Sequence, residues 1–265
     1  MKIADSLRQE SMPEMVYGLC RLSSGGYKRD ELQKLITLEA EDKESQDQFA
    51  QVFNFAKECN FISEESSKVK CLLDTKKLNS FKDFRMQVVK GVFENRGTKF
   101  YKAAEWFLSQ EDNDILTLDS AEKLSSRFVT SLGFNPDKFF ALGFRFWMVD
   151  LGFAAFQGYR RSAIVFACQD ILEQWICESH FQRSKKIAAR EFFDKLCAEI
   201  GIFETMISNN KLNLSFSMAL RILRDTGLIE LVYTKDSSDV WHLRESSFEK
   251  ANMDRFTEVV IKEAN

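Results

Sequence analysis

Tyr159-Arg160-Arg161 is a compact cation pair with an aromatic neighbour. Arginine holds phosphate oxygens in a bidentate fork and tyrosine stacks on a base or sugar, so the trio carries the chemistry of nucleic-acid contact. A second set, Ser215, Ser217, Arg221 and Arg224 with Lys235 beyond them, offers hydroxyls and cations of the kind that position a helix and its flanking loop on a phosphate backbone. All eight residues are also at home on a solvated face. Asp236 and Asp239, close to Lys235, would repel phosphate.

Other candidates are weaker. Glu111-Asp112-Asn113-Asp114 could hold a divalent cation or act as acid and base, but it reads as a solvated loop between helices. Cys177-x-x-His180 supplies two metal ligands where a tetrahedral site needs four, and no second pair lies nearby in sequence. Ser23-Ser24-Gly25-Gly26 could cradle an anion, though a plain turn accounts for it. The chain has two histidines, His180 and His242, and lacks G-x-x-x-x-G-K-S/T, G-x-G-x-x-G, G-x-S-x-G and H-E-x-x-H. We therefore expect no catalytic residue, no metal site and no cofactor.

The surrounding composition is that of a folded chain. Its 265 residues are 45% hydrophobic and 29% charged, with 25 Phe against 11 Gly and 2 Pro, which provides a core and excludes disorder and low-complexity classes. Six cysteines without a C-x-x-C pair read as reduced thiols. The polar start MKIADSLRQESMPEM has no apolar stretch, so no signal peptide is expected. Lys138–Phe156 has membrane-like length but contains Arg145 and Asp150, and a mid-bilayer charge costs about 2.5–3.5 kcal/mol; a buried core segment in a cytoplasmic protein is the expectation. Net charge is -3 overall, yet Lys76–Lys102 holds eight basic and two acidic residues. The middle of the chain is thus its electropositive part.

Helical spacing, glycine stops and short apolar runs recur in a fixed order. Near the C-terminus, a helix at Ala188–Glu199 precedes a second at Leu214–Asp225, with Ser215 or Ser217 as N-cap and Met218, Leu220, Ile222 and Leu223 inward. Gly227 stops it, Leu228–Tyr233 reads as a strand, Lys235–Asp239 as a turn and Val240–Leu243 as the return strand. In the middle, helices at Asp119–Leu132 and Pro136–Asp150 lead to strands at Phe153–Phe156 and Ala163–Ala167 around the turn Gly158–Ser162, and a helix follows at Gln169–Glu178. At the N-terminus, helices at Glu14–Leu22, Lys28–Leu38 and Gln46–Cys59 precede a hairpin over Phe61–Leu73. This order is the winged-helix plan, a helix-turn-helix with a β-hairpin wing. The predicted fold is α+β, predominantly helical, with two or three winged-helix units: residues 1–80, a basic bridging helix within 81–118, a Phe-rich unit at 119–186, and 187–265 with a terminal helix. Three Leu-Gly-Phe triplets, at 132–134, 142–144 and 151–153, suit helix ends, but Gly143 falls inside a predicted helix.

The second helix of such a unit can enter a major groove while the wing touches phosphate. In the N-terminal unit that helix offers Gln48, Gln51, Asn54 and Lys57, with Glu41, Asp42, Glu44 and Asp47 at its start, which favours a protein contact. Lys185, Lys186 and Arg190 form one more small basic cluster.

The runs Val16–Leu32 (VYGLCRLSSGGYKRDEL), Ala141–Phe153 (ALGFRFWMVDLGF), Phe156–Gly158 and Ile164–Ile171 (IVFACQDI) resemble the DpdG-like family. The resemblance implies an accessory subunit encoded beside bacterial machinery that inserts deazaguanine bases into DNA, or in similar phage-defence loci, and carries over no functional residues. Where family members have a Pro-Asp-Pro turn, this chain has Ala167-Cys168-Gln169-Asp170. The expected function is that of a non-enzymatic DNA-binding or adaptor subunit of such a complex. Its expected partners are double-stranded DNA, other protein subunits or a second copy in a homodimer, and no membrane. The alternatives are a protein-interaction scaffold without DNA contact, and an enzyme using the carboxylates near Asp112.

Overall fold

Pro13, whose missing N–H costs nothing in a first turn, starts α1 (Pro13–Ser23). Its inward face is Val16, Leu19, Cys20 and Ser23. The computed structural model describes residues 2–263 except 4, 6, 9, 41, 111–120, 135–137, 158–162, 236 and 246–253. The protein is α+β, about half helical with small sheets. It divides into two compact units, Met1–Ala104 with Asp119–Leu151, and Glu105–Leu118 with Gly152–Asn265.

In the first unit α2 (Arg29–Ile36) opens on a Glu31 carboxylate that accepts from the Lys28 N–H at 2.7 Å. Asp42 caps α3 (Lys43–Glu58), accepting from the Ser45 N–H at 2.8 Å. β1 (Ile62–Glu65) and β2 (Lys68–Cys71) form an antiparallel hairpin over the two-residue turn Ser66-Ser67, both residues at positive φ as such tight turns require. Lys28 adds a one-residue bridge to Lys68 on the open side of β2, and the Val69 N–H donates to the Tyr27 carbonyl.

The expected bridging helix is two helices, α4 (Phe81–Val92) and α5 (Lys99–Leu108). Asn95, whose side chain accepts from the Gly97 N–H, turns the chain between them, and the Thr98 hydroxyl caps α5 by accepting from the Tyr101 N–H. Two antiparallel helices complete the unit, α6 (Ala121–Leu132) and α7 (Lys138–Asp150). Gly133, at φ +68°, ends α6 as expected; the expected start of α7 at Pro136 lies outside the described residues. Trp147 is fully buried, stacks on Phe61 at 6.1 Å and donates its indole N–H to the Ser11 carbonyl at 2.8 Å. Phe144 meets Phe100 and Phe128 at 5.6 and 5.1 Å. Gly143 sits mid-helix because the chain at Leu7–Arg8 crosses it: a Cβ there would lie 2.7 Å from the Arg8 carbonyl oxygen.

In the second unit β3 (Ala154–Gln157) pairs with β4 (Ala163–Phe166), as the pattern predicted, and α8 (Gln169–Glu178) follows. Next come β5 (Lys186–Ala188), α9 (Ala189–Glu199), a short 3-10 turn and the tight hairpin β6 (Ile207–Ser208) with β7 (Lys211–Leu212). α10 (Leu214–Asp225) ends at Gly227, φ +80°, and runs into β8 (Ile229–Val232).

The expected return strand does not pair with β8. Trp241-His242 (β9) joins β10 (Arg255–Phe256) and β7 instead. The partner of β8 is β11 (Glu258–Ile261), the middle strand of the sheet β5–β11–β8. Val259 and Ile261 are fully buried, and pairing on both edges satisfies the backbone N–H and C=O groups of β11 from both sides. The same residues stand where a terminal helix was expected.

Candidate functional site

The side chains expected on the outer face of α10 divide into inward and outward sets. Asn213, not a serine, is the N-cap: its Oδ1 accepts from the Phe216 N–H at 3.0 Å. That start fixes the helical phase. Phe216, Ala219, Leu220 and Leu223 form the buried stripe, and Ser215 and Ser217 turn inward with them, 2% and 0% exposed. Ser217 accepts from the Arg244 N–H at 2.8 Å and donates to the Leu212 carbonyl at 3.3 Å. The Ser215 hydroxyl lies 3.5 Å from the Cys168 sulfur. Neither hydroxyl is available to a phosphate, which corrects the expected role of both.

Met218 and Ile222, expected inside, are exposed at 48% and 40%. Counting apolar residues misplaced the phase because both serines satisfy their hydroxyls within the fold. Arg221 donates to the Arg244 carbonyl at 2.5 Å, and Arg224 pairs with Asp225 at 3.0 Å. Lys235 is exposed on its turn. Arg160 and Arg161, with the rest of the 158–162 connection, lie outside the described residues, as do Glu111–Asp114 and Asp236. The outer face of α10 is therefore Met218 and Ile222, with Asp225 exposed at its C-terminal end and Leu214, Arg221 and Arg224 half-buried beside them.

Replacing Ser217 by Ala will leave the Arg244 N–H without its acceptor and lower stability by about 1–2 kcal/mol, read from urea unfolding, with no change in any DNA affinity. A loss of DNA affinity without a loss of stability would reinstate the hydroxyl as a contact.

The remaining expected cations of the second unit are largely neutralised. Lys186 pairs with Glu258 at 2.9 Å and Arg190 with Asp239 at 2.6 Å. Asp239 also accepts from Asn210 at 3.0 Å. Burial pushes its carboxyl up, but hydrogen bonds from Arg190, Trp241 and Asn210 and the Arg190 charge outweigh it, leaving the pKa lowered. Burial pushes the Cys168 thiol up to about 12, consistent with a structural, unreactive cysteine. Cys177 and His180 are exposed, and no group of three or more metal-ligating side chains occurs among the described residues.

In the first unit, Gln48, Gln51, Asn54 and Lys57 line the exposed side of α3 as predicted. The start of that helix borders an open groove of about 530 Å³ lined by Glu10, Lys43, Glu44, Asp47, Gln48 and Gln51. Three carboxylates against one ammonium give it an acidic character. The Ser23–Gly26 turn is no anion nest: its Ser24, Gly25 and Gly26 N–H groups donate to Arg21, Leu22 and Ser23 carbonyls at the end of α1.

A model of the DpdG-like family matches residues 6–237. No curated protein and no solved structure matches the chain.

Proposed function

This chain belongs to the DpdG-like family, a family associated with DNA-modification loci, and from that membership we propose that it is a non-enzymatic adaptor subunit of a bacterial DNA-modification or phage-defence complex. We read its two units as tandem winged helices. The support is a shared order of elements. In the first unit α1, the Lys28 bridge, α2, α3, β1 and β2 follow one another; in the second, α8, β5, α9, α10, β8 and β11 stand in the same order, with β6 and β7 inserted after α9 and β9 and β10 after β8. In both, the strand before the second helix pairs with the last strand of the unit, which also pairs with the strand that follows the third helix.

One observation favours the adaptor role over DNA reading. The helix in the groove-entering position of the second unit presents Met218 and Ile222 outward and keeps its serines inside. An apolar stripe on that face suits a protein partner, whereas base edges and phosphates call for hydrogen-bond donors. Among the described residues no helix is long and apolar enough to cross a membrane.

Co-expression with the other proteins of its DNA-modification locus tests the reading. The chain will co-purify at a fixed stoichiometry, and Met218→Asp/Ile222→Asp will cut recovery about tenfold at unchanged melting temperature. Elution of the wild type alone, or equal recovery of the variant, would end the adaptor reading. The second reading, DNA contact through Arg160 and Arg161, draws on the pairing of β3 with β4, the strands these residues connect in sequence. Arg160→Ala/Arg161→Ala will then abolish a gel shift on duplex DNA.

A further inference from the structure

The small sheet of the first unit carries an unusual row of charge. Lys28 and Lys68 face each other directly across an antiparallel bridge. The Val69 N–H donates to the Tyr27 carbonyl, so the hydrogen bonds flank the bridge and Lys28 and Lys68 form the non-hydrogen-bonded kind of pair. In that kind the Cα atoms approach to about 4.5 Å and the side chains run closest together. Like charges so placed repel. Alternation along β2 puts Lys70 on the same face as Lys68, while Val69 points into the core at 0% exposure. Glu65, opposite Lys68 in the hairpin register, is the carboxylate that could relieve the row, but it pairs with Lys70 at 2.6 Å. Neither Lys28 nor Lys68 makes an ion pair among the described residues. Both are exposed, and Tyr27, 41% exposed, precedes Lys28.

A repelling pair left uncompensated on an outer sheet face is a binding device for an anion placed between the two ammonium groups. We propose that this face, with Lys28 and Lys68 at its centre, is a contact surface for the phosphate backbone of duplex DNA. The two ammoniums straddle one backbone segment as point charges. The surface uses the first unit alone and does not involve Arg160 or Arg161, so it holds whether or not α10 docks a protein.

The test uses the full chain and a fluorescein-labelled 20-base-pair duplex, followed by anisotropy from 50 to 300 mM salt. The wild type will bind with a salt-dependent affinity. Lys28→Gln/Lys68→Gln will weaken binding at least tenfold at 50 mM salt and reduce the slope of log K against log salt by about 0.9, the contribution of the one phosphate held between the two ammonium groups. Lys28→Gln removes the like-charge repulsion across the bridge and leaves Lys68 opposite Glu65, so it will melt at or above the wild-type temperature while binding DNA more weakly. That opposed pair of effects separates a ligand site from a structural one. An unchanged slope in the double variant, or no binding by the wild type at micromolar protein, overturns the proposal. So does a double variant that binds DNA normally but fails to assemble with the locus proteins, which would make the face a protein contact. The co-expression test of the adaptor role uses α10 variants and is decided separately.

Discussion

Replacing Phe193 by alanine will destabilise the second unit by about 3–5 kcal/mol, the range for removing a large aromatic side chain from a core. Phe193, on α9, is 1% exposed and meets four rings: Trp241 at 4.4 Å, Phe192 at 5.3 Å, Phe216 at 5.4 Å and Phe256 at 6.0 Å. Those rings come from α9, α10, β9 and β10, so one side chain ties both helices to the small sheet. Its loss leaves a cavity that rigid neighbours on four elements cannot fill by a shared movement. Calorimetry will show a transition lowered by roughly 10 °C or more. A shift of under about 2 °C would mean that these rings collapse onto one another at little cost.

The second large effect is a pair of identical substitutions with opposite signs. Gly143→Ala will cost about 1–3 kcal/mol, as overpacking does. Its new Cβ would stand 2.7 Å from the Arg8 carbonyl oxygen and 2.8 Å from Leu7 Cγ, and backbone cannot swing aside as a side chain can. The Arg8 carbonyl is held by the Ser11 N–H, and the Ser11 carbonyl by the Trp147 indole, so displacing this segment disturbs the buried tryptophan too. Gly18→Ala, in α1, meets nothing within 4 Å and will gain about 0.5–1 kcal/mol from reduced freedom of the unfolded chain. Urea unfolding of both variants reads the difference; equal effects would show that helix propensity, and not the crossing at Leu7–Arg8, decides Gly143.

Gly143 also marks where sequence reasoning succeeds and stops. Helices announced themselves through caps and glycine stops: Asp42 and Gly227 act locally, and local chemistry is written next to the element it shapes. Leu214–Asp225 has the predicted limits because Asn213 and Gly227 bracket it. Which face of that helix turns inward is decided elsewhere, by Leu212 and Arg244 satisfying a serine. Nothing within the helix records this, so the candidate DNA-contact serines were placed outside and Met218 inside. Strand pairing failed for the same reason. Trp241-His242 is a strand as predicted, but its partners lie at Lys211 and Arg255–Phe256, and a turn-sized gap after β8 suggested the wrong hairpin. The lysines at 28 and 68 are forty residues apart, and only the bridge brings them face to face. The family resemblance, by contrast, rested on short contiguous runs, which a sequence displays whole.

The position of β11 in the middle of its sheet bears on how the second unit is made. Lys186 and Glu258, joined across it, are 72 residues apart, whereas the hairpin of the first unit closes over two. During synthesis the central strand leaves the ribosome after both of its neighbours. Until then β5 and β8 have unsatisfied edges and must avoid pairing with other chains, the usual hazard of long-range β structure. The first unit's hairpin can zip within microseconds, while the second sheet waits on translation. Nascent chains halted before Glu258 should therefore be the ones that draw chaperones.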